Sequence, residues 1–159
     1  RPVPFASSPT WKNIRVGKDT KEEVVQKLGL QPVSATVSAS GDEILNFAAE
    51  HSYWPDQVYI GSQDKKSTLI KERVLGESAG ELKTYIDKYG LPDAILASND
   101  DLPALGFKLH VFPKSGLAVN ANPDNGAVFE VWYFAPTGLD KFQQEFKSEL
   151  TVWVGGGTF

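Results

Sequence analysis

The sequence predicts an α+β fold of two tandem repeats, each a short helix followed by an antiparallel strand meander, with a C-terminal helix added. Three observations carry this. Val16–Pro32 (VGKDTKEEVVQKLGLQP) is echoed at Leu75–Pro92 (LGESAGELKTYIDKYGLP). The matched glycines and prolines lie about sixty residues apart, the length of one supersecondary unit. Each helical stretch is followed by short β-rich runs separated by turn residues.

Residues 1–13 (Arg1–Asn13) read as a flexible arm, with Trp11 the first anchor onto the body. The first repeat takes residues 14–74. Its helix begins with Thr20-x-x-Glu23, a capping box in which hydroxyl and carboxylate each satisfy an orphan backbone N–H. Val24, Val25 and Leu28 follow at helical spacing, and Gly29-Leu30 with Pro32 ends the helix. Strands are then expected at Ser34–Ala39, Glu43–Phe47, Gln57–Ile60 and Ser67–Val74.

The second repeat, 75–136, follows the same grammar. Ser78-x-x-Glu81 is its expected capping box, Leu82, Tyr85, Ile86 and Tyr89 its apolar stripe, and Gly90-Leu91-Pro92 its stop. Strands are expected at Ala94–Ala97, Phe107–Phe112, Leu117–Asn120 and Ala127–Phe134, the last two joined by the turn Pro123–Gly126. In the remainder, 137–159, Leu139, Phe142 and Phe146 recur at helical spacing, and Leu150–Val154 reads as an edge strand before a loose tail.

Composition limits the chemistry. The chain has no cysteine, so it has no thiolate nucleophile, thiolate metal site or disulfide. Sixteen basic residues against twenty acidic ones, with no basic block, argue against a nucleic-acid footprint. No apolar run approaches the ~20 residues of a membrane-crossing helix. The Pro/Ser-rich opening RPVPFASSPT, starting at Arg1, reads as a tether left by processing. An exported protein is expected: periplasmic, cell-surface or secreted, with a lipid anchor if a cysteine preceded Arg1.

A glycine, a capped short helix, "LG" or "YG", a proline and a strand meander together resemble the BamE-like (SmpA/OmlA) lipoproteins and the tandem repeats of β-lactamase inhibitory protein. The resemblance covers roughly a fifth of the chain, at the two helical signatures. It implies α+β units, an extracytoplasmic location and protein binding. The disulfide of the inhibitor family has no counterpart here, and the lipoproteins carry one unit where this chain reads as two.

No catalytic, metal or cofactor site is expected. His51 and His110 are the two side chains that titrate near neutrality without help, but His51-Ser52 with Asp56 supplies triad residue types without separated elements to assemble them. Asn120-x-Asn122-x-Asp124-Asn125-Gly126 imitates a calcium loop, yet its glycine is one position late and Val131 stands where the bidentate acid belongs. A hairpin turn explains it better.

The aromatic residues point to binding. If Phe129, Val131 and Tyr133 face the helices, alternation sends Glu130 and Trp132 to the opposite face. His110 and Phe112, out of phase with Leu109 and Val111, and Tyr59, out of phase with Val58 and Ile60, are expected to join them. Tyr59, His110, Phe112, Glu130 and Trp132, rimmed by Tyr53 and Trp54, then form an open patch fit for another protein. A pocket for a small ligand or lipid on the same face is the alternative. Pairing of two copies through a sheet edge is a further form of protein binding.

Overall fold

The computed structural model describes residues 9–50, 52–74, 80–100 and 106–151. Two short strands, β1 (Thr10–Trp11) and β2 (Ile14–Arg15), pair with each other and lead into helix α1 (Lys21–Leu28). Strands β3 (Ser34–Val37), β4 (Glu43–Phe47), β5 (Asp56–Ile60) and β6 (Ser67–Arg73) follow. Helix α2 (Leu82–Tyr89) precedes β7 (Ala94–Leu96), β8 (Lys108–Phe112), β9 (Leu117–Ala121) and β10 (Val128–Phe134). Helix α3 (Leu139–Glu145) and a 3-10 turn at Lys147–Glu149 complete the described chain.

All of β3 to β10 lie in one antiparallel sheet, in the order β3-β4-β5-β6-β10-β9-β8-β7. This corrects the expected α+β chain of two tandem repeats. The fold is mostly sheet, with three α-helices of seven or eight residues among the described residues. The two halves do not close separately, because β6 and β10 pair along their length, from Glu130 opposite Arg73 to Phe134 opposite Leu69. Local patterning locates a helix and its strands, but it carries no information about which distant strand completes a hydrogen-bond ladder.

The two helices also differ at both ends. Thr20 caps α1 as expected: its Oγ1 accepts from the Glu23 N–H, and Glu23 Oε1 accepts from the Thr20 N–H. Helix α2 instead starts behind Glu81, which makes no side-chain cap bond, and the expected cap Ser78 lies outside the described residues. Gly29 ends α1 in the left-handed conformation (φ 65, ψ 21), whereas Gly90 combines φ 85 with ψ −172. Both angles favour glycine, but they send the chain off in different directions.

On one face of the sheet, α1 packs Val24 against Leu45, Val58 and Ile70, with Trp11 and Ile14 of the small sheet beside them. On the same face α2 packs Leu82 against Val119 and Val131, and Tyr133 touches both clusters. The other face is covered by α3, whose Phe142 and Phe146 meet Trp132, Phe134, Leu109 and Val111. Trp11 is thus part of the body, in the anchoring place the sequence suggested for it.

Candidate functional site

The α3 face divides into an apolar part and a charged part. Cross-strand register places Lys71 opposite Trp132 and Gln57, and Arg73 opposite Glu130, so these side chains share one face. Lys71 is almost completely buried, with its Nζ 2.5 Å from Asp100 Oδ2 and 2.6 Å from Glu149 Oε1. The ammonium also lies 4.6 Å from the Trp132 ring centroid and 5.3 Å from that of Tyr59. The Tyr59 hydroxyl donates to the same Glu149 oxygen at 2.7 Å. A buried cation is tolerable only with such partners.

Glu130 forms the second half of the cluster. Its Oε1 accepts from Trp132 Nε1 at 2.5 Å, and its Oε2 lies 2.6 Å from Arg73 Nε, at an angle that makes this an ion pair and not an aligned hydrogen bond. Arg73 also donates to Gln57 Oε1 at 2.9 Å. Burial, reinforced by the Asp100 charge, pushes the Glu130 carboxyl up to about 7 against the pull of Arg73 and Lys71. Burial acts on Asp100 in the same sense, but Lys71 and Arg73 outweigh it and hold that carboxyl below its usual range. For Lys71 burial favours the neutral amine, while Asp100 and the other acidic neighbours more than restore the charge.

The cluster ties the C-terminal segment to the sheet. Glu149 supplies the side-chain anchor, while its carbonyl accepts from the Asn99 N–H and the Thr151 N–H donates to Ala97 O, each at 3.0 Å. Asn120, opposite Glu130 and Leu109 on this face, is buried, and neither polar atom of its amide has a hydrogen-bond partner among the described residues.

The expected aromatic patch therefore does not lie open. Trp132 and Tyr59 stand on the α3 face and are buried, Trp132 completely, and Glu130 is buried beside them. His110 and Phe112 lie on the opposite face, where Phe112 meets Tyr89 of α2, and both are buried. The shift in β8 has a simple cause: β9 stands between β8 and β10, and the actual register sets Val111, not His110, in line with Trp132 through Ala118. His110 Nδ1 lies 2.9 Å from Lys108 O.

Tyr53 and Trp54 alone of the seven are exposed. Their loop joins β4 to β5. The Trp54 N–H donates to Ser52 Oγ at 3.1 Å, and the indole meets Phe129 edge to face at 5.7 Å. Phe107 meets Phe129 at a tilt, ring centroids 5.6 Å apart, and the Arg73 guanidinium lies 5.9 Å from the same ring. Trp54 is thus held by its neighbours while 47% of its surface stays in water.

His51 lies outside the described residues, and the Asp56 carboxylate accepts from the Arg73 N–H at 2.8 Å. The calcium-like stretch is a turn in which Asn122 and Asn125 direct their side-chain oxygens to the backbone N–H groups of Asp124 and Ala127. Among the described residues no group of three or more His, Asp or Glu side chains is placed to hold a metal. Sequence reasoning missed Lys71, Arg73, Asp100 and Glu149. The available signal was Lys71 and Arg73 on the same side of a strand as Leu69, a charged pair in an apolar frame.

No family model matches the chain, and no curated protein matches it. Among solved structures, the crystal structure of a DUF4309 family protein, YjgB, from Bacillus subtilis is similar, with a TM-score of 0.51 and 11% identity. The match covers 81% of this chain and 88% of that one. At this identity the likeness concerns the fold alone.

Proposed function

We propose that the protein is a non-enzymatic, extracytoplasmic protein-binding module that grips its partner through the Tyr53–Trp54 loop. The observation that carries this reading is a solvated tyrosine beside a half-exposed tryptophan whose indole is already oriented by Phe129. Tyrosine and tryptophan dominate the energy of protein interfaces, and an anchor held in place before binding loses little freedom on docking. The charged cluster fits a supporting role, since its carboxylates and cations are occupied with one another and with the C-terminal segment. The resemblance of the Thr20–Pro32 signature to BamE-like lipoproteins supports the extracytoplasmic placement.

The test is a photo-crosslinking amino acid at Tyr53, applied to the source cells and followed by fractionation. The expected result is one discrete adduct in an extracytoplasmic fraction. Trp54→Ala should reduce its yield at least about thirtyfold, as for an anchor carrying 2 kcal/mol. The same change should cost only about 1 kcal/mol of stability, through the lost contact with Phe129. A cytosolic protein, or an adduct indifferent to Trp54, would refute the proposal.

A further inference from the structure

Strand β3 ends the sheet, and nothing in the described chain covers it. All four of its residues are exposed, Val37 at 73%, as are Leu30 (52%) and Val33 (67%) before it. Edge strands are ordinarily guarded by charges, prolines within the strand, bulges or a covering segment. Residues 30–41 contain no Asp, Glu, Lys, Arg or His, and Pro32 precedes the strand. The β3–β4 pairing runs without a shift from Ser34 opposite Asn46 to Val37 opposite Glu43, and an irregularity lies before it, where the Val33 N–H donates to Asn46 O at 2.8 Å. The opposite edge differs. Beside β7 stands Asp93, and the strand's continuation at Ala97–Asn99 is already bonded to Glu149 and Thr151.

Which β3 groups are free follows from the ladder. The Ser38 N–H donates to Asp42 O at 2.8 Å in the same register, so residues 36 and 34 also direct their backbone groups to β4. Alternation then turns the N–H and C=O of Ala35 and Val37 outward.

We propose that this edge binds the β3 edge of a second copy of the chain, antiparallel and about a two-fold axis at Thr36. In that register Ala35 of each copy meets Val37 of the other, and both outward pairs of N–H and C=O groups are satisfied. Thr36 faces Thr36, a favourable cross-strand pair. A second copy is the occupant the surface fits. Without charge, the edge has nothing with which to select a charged partner and nothing to repel itself. The partly occupied β7 edge offers a poorer complement, and pairing β3 with β3 closes the assembly at two. This inference is independent of the Tyr53–Trp54 reading.

Sedimentation of the intact protein from micromolar to millimolar concentration should show the 17.4 kDa monomer giving way to a dimer. Ala35→Pro deletes an outward N–H and leaves the β4 ladder whole, so it should raise the dimer dissociation constant about tenfold or more without lowering the thermal midpoint. Val37→Lys, at a solvated site, should do the same by placing charges across the axis. Because the chain has no cysteine, Thr36→Cys should oxidise to a single disulfide-linked dimer. A monomer at every concentration would overturn the proposal. So would a dimer indifferent to Ala35→Pro and Val37→Lys, a Thr36→Cys protein that stays unlinked, or β3 accepting a foreign strand in preference to its own copy.

Discussion

The two faces of the sheet are covered by different means. Beneath α1 and α2 the cover is largely dry, with Val24 and Leu82 set on Val, Leu and Ile side chains of the strands, and the buried Asp56 and His110 meet backbone groups. Beneath α3 an apolar half around Phe142 gives way to a charged half in which Lys71, Arg73, Glu130, Asp100 and Glu149 hold the loop and C-terminal segment down. Apolar burial is non-directional and tolerant of small shifts, whereas the charged half works only if every partner arrives. The first face should therefore yield gradually to mutation and the second should fail sharply, while a pH response is expected on both, from the buried Asp56 on the first and from Glu130 on the second.

The largest effect is expected at Trp132, which fills the α3 face and donates to Glu130. Trp132→Ala should cost about 3–5 kcal/mol, measured as a shift in denaturant midpoint. A small loss would mean that α3 closes over the gap.

Next comes a pair of adjacent residues pointing to opposite faces. Lys71→Ala leaves Glu149 without its cation and Asp100 with only Arg73, 3.7 Å away, and should cost about 3 kcal/mol, while Ile70→Val on the dry face should cost about 1 kcal/mol. Adding Asp100→Asn and Glu149→Gln to Lys71→Ala should recover much of the loss, which an apolar cavity alone would not permit. Equal costs at positions 70 and 71 would erase the distinction between the faces.

Glu130 should contribute much of the pH response, beside Asp56, whose buried carboxyl is raised to about 6. The Glu130 carboxyl moves from the ordinary 4.5 to about 7 in the folded protein, so the folded state binds that proton more tightly than the unfolded chain. The resulting stabilisation is complete below about pH 4.5 and is lost as pH rises through about 7. Thermal melts of Glu130→Gln should therefore decline less across that interval than those of the wild type. Matching slopes would show that Arg73 keeps Glu130 ionised throughout.

The smallest effect concerns the dry face, where the Thr20 cap is a local device. Thr20→Ala should cost about 1 kcal/mol. A much larger loss would show that α1 holds its face cooperatively, as α3 and its anchors hold theirs.

The start of α1, the positions of the eight main strands and the Leu139–Phe146 helical spacing could all be read along the chain, since each depends on residues within a few positions of one another. Val131 and Tyr133 face the helices as alternation requires, but a register shift between Val128 and Glu130 places Val128, not Phe129, in the cluster beneath α2. Alternation within β8 was equally visible, but its phase against β10 depends on a register passed through β9, and no sequence period encodes that. The start of α2 at Glu81 likewise departs from a sound capping pattern at Ser78.

By itself, then, the sequence determined where helices and strands form and that Tyr53 and Trp54 sit in a loop, because capping, alternation and turn chemistry act over short distances. Only the tertiary structure decided that the strands merge into one sheet, that α3 buries Trp132, and that residues from β6, β10, the Asp100 loop and the C-terminal segment meet in one charged cluster. The physical reason is that a hydrogen-bond ladder or a buried ion pair joins residues tens of positions apart, and its energy depends on a distance that no local pattern of residues can specify.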